Sequence, residues 1–245
     1  MASAIVKAAG LDSAEQVLEV GPGLGVLTER LGQVARRVVA VEIDADLASA
    51  LRVEFDGANI TVHTQDVLKV DPASFFEAPF VVVANLPFHI TSPALRHLLA
   101  AGPPYASRLV VMVQAEVAER IAAPPGDMSS LAVAIQAQAR VRVVRRVPAA
   151  AFFPKPKVDS TVLLLEPLAD GDRPIPRAEL TEFIKLVQAG FKQPRKKLVN
   201  SLAEGLGCAK QDALDLLARA DIDPARRPQD LAVADWARLY RQRSA

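Results

Sequence analysis

Between residues 16 and 167 the chain alternates short, β-branched apolar runs with amphipathic stretches, and few architectures accept that alternation. The runs cover 17–20, 38–41, 60–62, 80–84 and 109–113, with Val38-Val39-Ala40-Val41 and Val81-Val82-Val83-Ala84 the plainest of them. Runs this short and continuous suit strands covered on both faces, because a half-exposed strand alternates polar with apolar residues instead. Amphipathic segments at 26–34, 46–55, 93–101 and 115–121 predict the helices between them. Such a pattern gives an α/β domain built on a mainly parallel sheet. Residues 139–147 and 158–165 predict two further strands.

The pattern changes after Pro167. Asp170-Gly171-Asp172-Arg173-Pro174-Ile175-Pro176 is a polar, proline-punctuated stretch with turn chemistry. Beyond it the periodicity is helical, at 177–189, 195–206, 210–220 and 233–243. The predicted division is a first domain over 1–168, a linker over 169–176 and a small all-helical domain over 177–245.

One cysteine, Cys208, excludes an internal disulfide framework and any multi-cysteine zinc site, so no metal centre is expected. No apolar run reaches the roughly 18 residues a membrane span requires. The first residues also lack the three regions of a signal peptide, and the expected location is the cytoplasm. A net charge of +1 is low for a dedicated nucleic-acid binder, so the local distribution of charge matters more. Arg140, Arg142, Arg145 and Arg146 form one cluster, and Lys192, Arg195, Lys196 and Lys197 another. Clusters of this kind ordinarily make a solvated face.

Glu19-Val20-Gly21-Pro22-Gly23-Leu24-Gly25 closes the first predicted strand and opens a helix. Alternate glycines let a backbone turn sharply and approach a ligand with no Cβ in the way. The dinucleotide fingerprint would place its third glycine at position 26, which is Val26 here. An acidic residue followed by Gly-x-Gly-x-Gly instead resembles the first motif of class I S-adenosylmethionine methyltransferases. Glu42 and Ile43 end the second strand, where a carboxylate can accept from both hydroxyls of a ribose. Asp66 and Val67 end the third, where Asp66 can accept from the amine of the cofactor adenine. Each acid alone is better explained as a helix cap or a surface residue. Their succession along one sheet edge, where α/β proteins bind ligands, makes them a set.

Asn85, Leu86, Pro87 and Phe88 end the fourth strand. The exocyclic amine of a base is a poor nucleophile, because its lone pair is delocalised into the ring. Methyl transfer needs that lone pair in line with the S–CH3 bond, and two acceptors achieve this by binding the N–H hydrogens. The Asn85 side-chain oxygen and the Leu86 backbone carbonyl are such a pair. Pro87 stiffens the turn and adds no competing donor, and Phe88 offers a stacking face to a flipped base. No general base is needed, so catalysis rests on positioning and electrostatics. His89 and His97 have no required part in this chemistry.

Glu19 to Thr28, Glu42, Gln65-Asp66, Asn85 to Pro93, Gln114 to Arg120 and Phe152 to Ser160 together resemble the ribosomal RNA adenine dimethyltransferase family, in its small-subunit branch. The resemblance covers nearly the whole chain. It implies a Rossmann-like class I methyltransferase sheet with a C-terminal helical domain, and S-adenosylmethionine as cofactor. The implied activity is N6-dimethylation of two adjacent adenines near the 3′ end of 16S rRNA, performed by a monomer on an assembling 30S particle with no membrane involved. Carried over by position, the family's cofactor contacts fall on Gly21, Glu42, Asp66 and Asn85, with Glu19, Gly23, Gly25, Ile43 and Val67 beside them.

In Phe152-Phe153-Pro154-Lys155-Pro156-Lys157-Val158-Asp159-Ser160, the resemblance gives Phe152 the second face of the target base and leaves Phe153 to packing. Lys155 and Lys157 are candidates for phosphate contact. Gly190 to Leu202 resembles the family's basic segment opening a C-terminal helix. Lys192, Arg195 and Lys196 would share one face there, with Lys197 next to them, as an RNA-backbone contact requires. Family members also carry a Gln-Asn-Phe-Leu segment that closes over the cofactor. This chain begins at Met1-Ala2-Ser3-Ala4-Ile5-Val6, inside the helix that follows it. Weaker cofactor binding is therefore expected, and titration after grafting the segment back would test it.

Three other readings remain. Large-subunit rRNA adenine methylases of the macrolide-resistance type share the chemistry, but more often carry Asn-Ile-Pro. A non-catalytic nucleic-acid-binding protein on this fold would not need Glu42 or the Asn85 strip. A nicotinamide dehydrogenase is disfavoured by Val26 and by Asn-Leu-Pro-Phe.

Overall fold

All five β-branched runs form strands. The structure, a computed structural model, describes residues 2–152 and 154–244. In chain order its strands are β1 (Gln16–Val20), β2 (Arg37–Glu42), β3 (Ile60–Thr64), β4 (Phe80–Asn85), β5 (Ala106–Gln114), β6 (Ala139–Val147) and β7 (Ser160–Pro167). The helices are α1 (Ala2–Ala9), α2 (Val26–Gly32), α3 (Ala45–Glu54), α4 (Thr91–Ala100), α5 (Ala115–Ile121) and α6 (Ser130–Gln136), followed by α7 (Leu180–Gly190), α8 (Leu198–Leu206), α9 (Lys210–Arg219) and α10 (Val233–Ser244).

The strands form one sheet in the order β3-β2-β1-β4-β5-β7-β6. Strands β1 to β5 pair in parallel, and β7 runs antiparallel to β5 with Leu163 opposite Val111. Strand order reverses between β1 and β4, so the crevice beyond their carboxyl ends is where an open α/β sheet binds ligands. Val81, Val82 and Val83 are fully buried, as a strand covered on both faces requires. Each such side chain contributes about 1.5–3 kcal/mol. One face of the sheet, including Val17, Val83, Val110 and Val162, packs on Ile5 of α1 and on Leu27 and Leu31 of α2.

The chain divides into two compact units: Met1–Ala118 with Arg140–Pro167, and Glu119–Ala139 with Leu168–Ala245. This differs from the division expected at residue 168, because residues 119–139 belong with the C-terminal helices. Met128, Ala132 and Val133 share a core with Phe183, Leu202, Leu217 and Trp236. The missing element is α6, which the sequence did not predict. In Ser130–Gln136 the four residues Ala132 to Ile135 are all buried, so the segment has no polar face to generate a helical period. Its start is set by Ser129, whose hydroxyl accepts from the Ala132 amide at 3.1 Å.

Within the second unit α7 and α8 meet backbone to backbone. A Cβ on Gly205 would lie 2.2 Å from the Ala189 carbonyl oxygen, and one on Gly190 would lie 2.3 Å from the Trp236 ring. Gly205→Ala is therefore expected to destabilise the protein by about 1–3 kcal/mol, because backbone cannot rotate aside as a side chain can. Chemical denaturation measures this. A transition identical to wild type would show that the helices separate without cost.

Candidate active site

The turn after β1 shows which glycines are needed and why. Gly21, Gly23 and Gly25 have φ of 66°, 57° and 78°, the left-handed region that glycine enters freely. Among the described residues a Cβ on Gly21 or Gly23 would meet nothing within 4 Å, so their partly exposed backbone is open to a ligand. On Gly25 it would lie 2.7 Å from Leu51 and 3.1 Å from the Phe55 ring. Gly21 and Gly23 thus present a cradle, whereas Gly25 seats the start of α2 against α3. Gly25, expected as a cofactor contact, is thus a packing position as well.

Glu42 ties this turn to the next. One carboxylate oxygen accepts from the Gly23 amide at 3.1 Å and the other from the Asp44 amide at 3.0 Å. Each oxygen retains a lone pair for a ribose hydroxyl. Glu42→Gln keeps the shape but turns an NH2 group toward one of these amides. S-adenosylmethionine affinity is expected to fall about 10- to 100-fold, the range for losing a charged hydrogen bond. Isothermal titration reads this out, and unchanged affinity would remove Glu42 from the site.

A cavity of about 320 Å³ opens at the carboxyl ends of β1, β2 and β3. Of the residues expected from sequence, Gly21, Gly23, Glu42, Ile43, Asp66, Val67 and Pro87 line it. Asp66 caps the turn that follows β3, accepting from the Leu68 amide at 3.0 Å, with the Lys69 ammonium 3.8 Å away. Leu68, His89 and Ile90 also line the cavity and were not predicted. They follow the predicted Val67 and Phe88 by one or two positions, so the signal was adjacency to a strand end rather than residue type. The open glycine backbone, the carboxylate acceptors and apolar Ile43 and Val67 fit an adenosine-sized cationic cofactor.

Glu19 and Asn85 do not line the cavity. Glu19 is 1% exposed at the end of β1. Among the described residues neither of its carboxylate oxygens has a hydrogen-bond partner. Desolvation by burial pushes its pKa up to about 7; the nearby Thr28 hydroxyl opposes the shift and the negative charge of Glu42 adds to it. Thr28 faces the carboxyl without reaching hydrogen-bond geometry. Glu19, expected as a cofactor contact, is thus a buried carboxyl near the end of β1.

The strip itself is ordered by its neighbours. The Leu86 amide donates to the Met112 carbonyl at 3.1 Å, extending the β4–β5 pairing, and the Leu86 side chain is buried. The Pro87 carbonyl accepts from the Ile90 amide at 3.1 Å and the Thr91 hydroxyl at 3.2 Å, which closes a tight turn over Phe88–Ile90. Asn85 is exposed at the strand end, and Phe88 is 46% exposed at the start of that turn. Asn85 and Phe88 thus present exposed groups from anchored backbone, while Leu86 between them is 1% exposed.

The structure places the loop and the basic segment, and corrects the helical reading of the latter. Phe152, expected on the target base, is partly buried and packs on the core with Val147 and Val162. Phe153, assigned to packing, lies outside the described residues. Lys155 and Lys157 lie in the same loop, Lys155 exposed and Lys157 exposed with it. The basic segment 192–197 is not helical: α8 starts at Leu198, with Lys197 at its cap position. Pro194 and the bond from the Gln193 amide to the Ser201 hydroxyl, 2.9 Å, hold it as a turn. Lys192, Arg195, Lys196 and Lys197 lie along that turn, where no helix face arranges them.

A parallel sheet reversing between β1 and β4, an antiparallel β7 beside β5 and a glycine cradle facing an acidic strand end define a class I methyltransferase. The sequence model of the ribosomal RNA adenine dimethylase family matches residues 1–243, and the chain belongs to that family of S-adenosylmethionine-dependent methyltransferases. Ribosomal RNA small subunit methyltransferase A of Dehalococcoides mccartyi is 42% identical over 244 residues, covering 96% of this chain and 81% of the relative. The protein of that name from Lactobacillus delbrueckii subsp. bulgaricus is 41% identical, covering 96% and 83%. Among solved structures, a dimethyladenosine transferase from Plasmodium falciparum superposes with a TM-score of 0.76 at 27% identity, over 97% of this chain and 93% of that one. The 23S rRNA methyltransferase ErmE superposes with a TM-score of 0.74 at 28% identity, over 100% and 97%.

Proposed function

We propose that this protein N6-dimethylates two adjacent adenines near the 3′ end of 16S rRNA, acting as a cytoplasmic monomer on the assembling small subunit. The whole-chain family match, together with relatives above 40% identity named for the small subunit, carries this reading. Among the described residues no helix is long and apolar enough to cross a membrane.

In this reading Gly21, Gly23, Glu42, Ile43, Asp66 and Val67 hold the cofactor, which supplies an electrophilic sulfonium methyl when bound. The Asn85 side-chain oxygen and the Leu86 carbonyl accept the two N6 hydrogens and turn the amine lone pair toward the cavity. Phe88 stacks on the base, and Pro87 keeps strip and stack in register. Lys155, Lys157, Lys192, Arg195, Lys196 and Lys197 contact phosphate.

The test is transfer of labelled methyl groups to small subunits that lack the modification, with primer extension on both rRNAs. Two adjacent modified adenines in 16S rRNA are expected. Modification of large-subunit rRNA alone, the activity in the name of ErmE, would overturn the reading.

A further inference from the structure

Strand β6 carries charge that neither the cofactor cavity nor the Asn85 strip uses. It is the outermost strand of the sheet, paired on one side by β7, so its other edge presents backbone N–H and C=O groups outward. Its sequence, Ala139-Arg140-Val141-Arg142-Val143-Val144-Arg145-Arg146-Val147, holds four arginines and no acid, in a chain whose net charge is only +1. Residues 142 to 146 are all exposed. By strand alternation Arg142 lies on the face of Arg140 and Arg146, and Arg145 on the opposite face. Arginine thus flanks the open edge on both sides. Arg140 and Arg146 have interactions within the protein, so a ligand at this edge would be held chiefly by Arg142 and Arg145.

We propose that the open edge of β6 is a second RNA-backbone contact, with Arg142 and Arg145 gripping phosphates on either side of it. Guanidinium forks and outward backbone amides are both phosphate ligands, and both recur along this edge. The strand leads, through a short turn at Ala149–Ala151, toward the loop that carries Lys155 and Lys157, a candidate RNA-binding segment. The competing role is protective: charged residues on an edge strand block pairing with other chains, and Val143 and Val144, 46% and 40% exposed, would otherwise invite it. The contact rests on the proposed rRNA substrate, and the experiment separates the two.

Small subunits lacking the modification are titrated with wild type, R142A/R145A and R142K/R145K across a salt series. Two lost phosphate contacts should lower the slope of log affinity against log salt by about 1.4–1.8 and raise KM for the subunit about tenfold. S-adenosylmethionine affinity and kcat at saturation should not move, and the lysine pair should restore most of the slope. In the wild-type protein, bound subunits should protect Arg142 and Arg145 from phenylglyoxal, read by mass spectrometry, a measurement independent of how the variants fold. Unchanged slope with more aggregation, or no protection, overturns the proposal in favour of edge protection. If wild type itself leaves 16S rRNA unmethylated, the substrate reading fails first and separately.

Discussion

Asn85→Ala is expected to slow methyl transfer by a factor of about 100 to 1,000, comparable to removing one preorganised polar group from a reacting centre. The expectation follows from where Asn85 sits. Its backbone is fixed at the end of β4 while its side chain is exposed and outside the cofactor cavity. The loss should therefore fall on kcat, with S-adenosylmethionine affinity changed by less than about tenfold. Asn85→Asp retains an acceptor oxygen and should lose less. Single-turnover methylation with saturating cofactor measures the rate, and titration calorimetry the affinity. If alanine leaves the rate intact, the acceptor pair is not how this enzyme activates its amine. If affinity collapses instead, Asn85 belongs to the cofactor site after all.

The second large effect concerns Glu19. Its pKa is raised from 4.5 to about 7 by burial, so between those values the native state keeps a proton that the unfolded chain has released. Stability must then fall as pH rises through this window, and remain lowered above it. The full penalty is about 3 kcal/mol, at about 1.4 kcal/mol for each tenfold rise in proton affinity. Glu19→Gln is neutral at every pH and escapes the penalty. The cofactor-free variant should match wild type near pH 4.5 and exceed it by about 3 kcal/mol at pH 8. Urea denaturation at both pH values decides it. An advantage that is equal at both would mean the Glu19 carboxyl titrates normally.

Strands were legible because burial on both faces writes itself as uninterrupted valine and alanine, as in β2 and β4. The cofactor edge was legible for a related reason: Gly21 and Glu42 each lie at or just beyond the end of such a run, and Asp66 lies two residues beyond β3. Other features were hidden for a different cause. Helix α6 is hidden because its buried face leaves no amphipathic trace, and with it the membership of residues 119–139. The 192–197 turn reads as helix because lysine and arginine are good helix formers, while the Gln193 to Ser201 bond that unwinds it is not local. Gly25 and Glu19 sit in the right motif, but only packing shows that one faces Leu51 and the other is buried away from the cavity. Motif spacing identifies neighbours in sequence, and contact with a ligand depends on which way each one turns.

The insertion of β7 between β5 and β6 has a consequence for synthesis. A chain emerging from the ribosome can pair β1 to β5 early, but the open side of β5 has no partner until Ser160 and the residues after it appear. At about 5–20 residues per second that interval lasts several seconds. Residues 119–139 pass through during it, and they belong to a unit whose remaining helices come last. The nascent protein therefore carries a bare apolar strand edge and an orphaned helix together, which makes this stretch of translation the point at which a chaperone has most to cover.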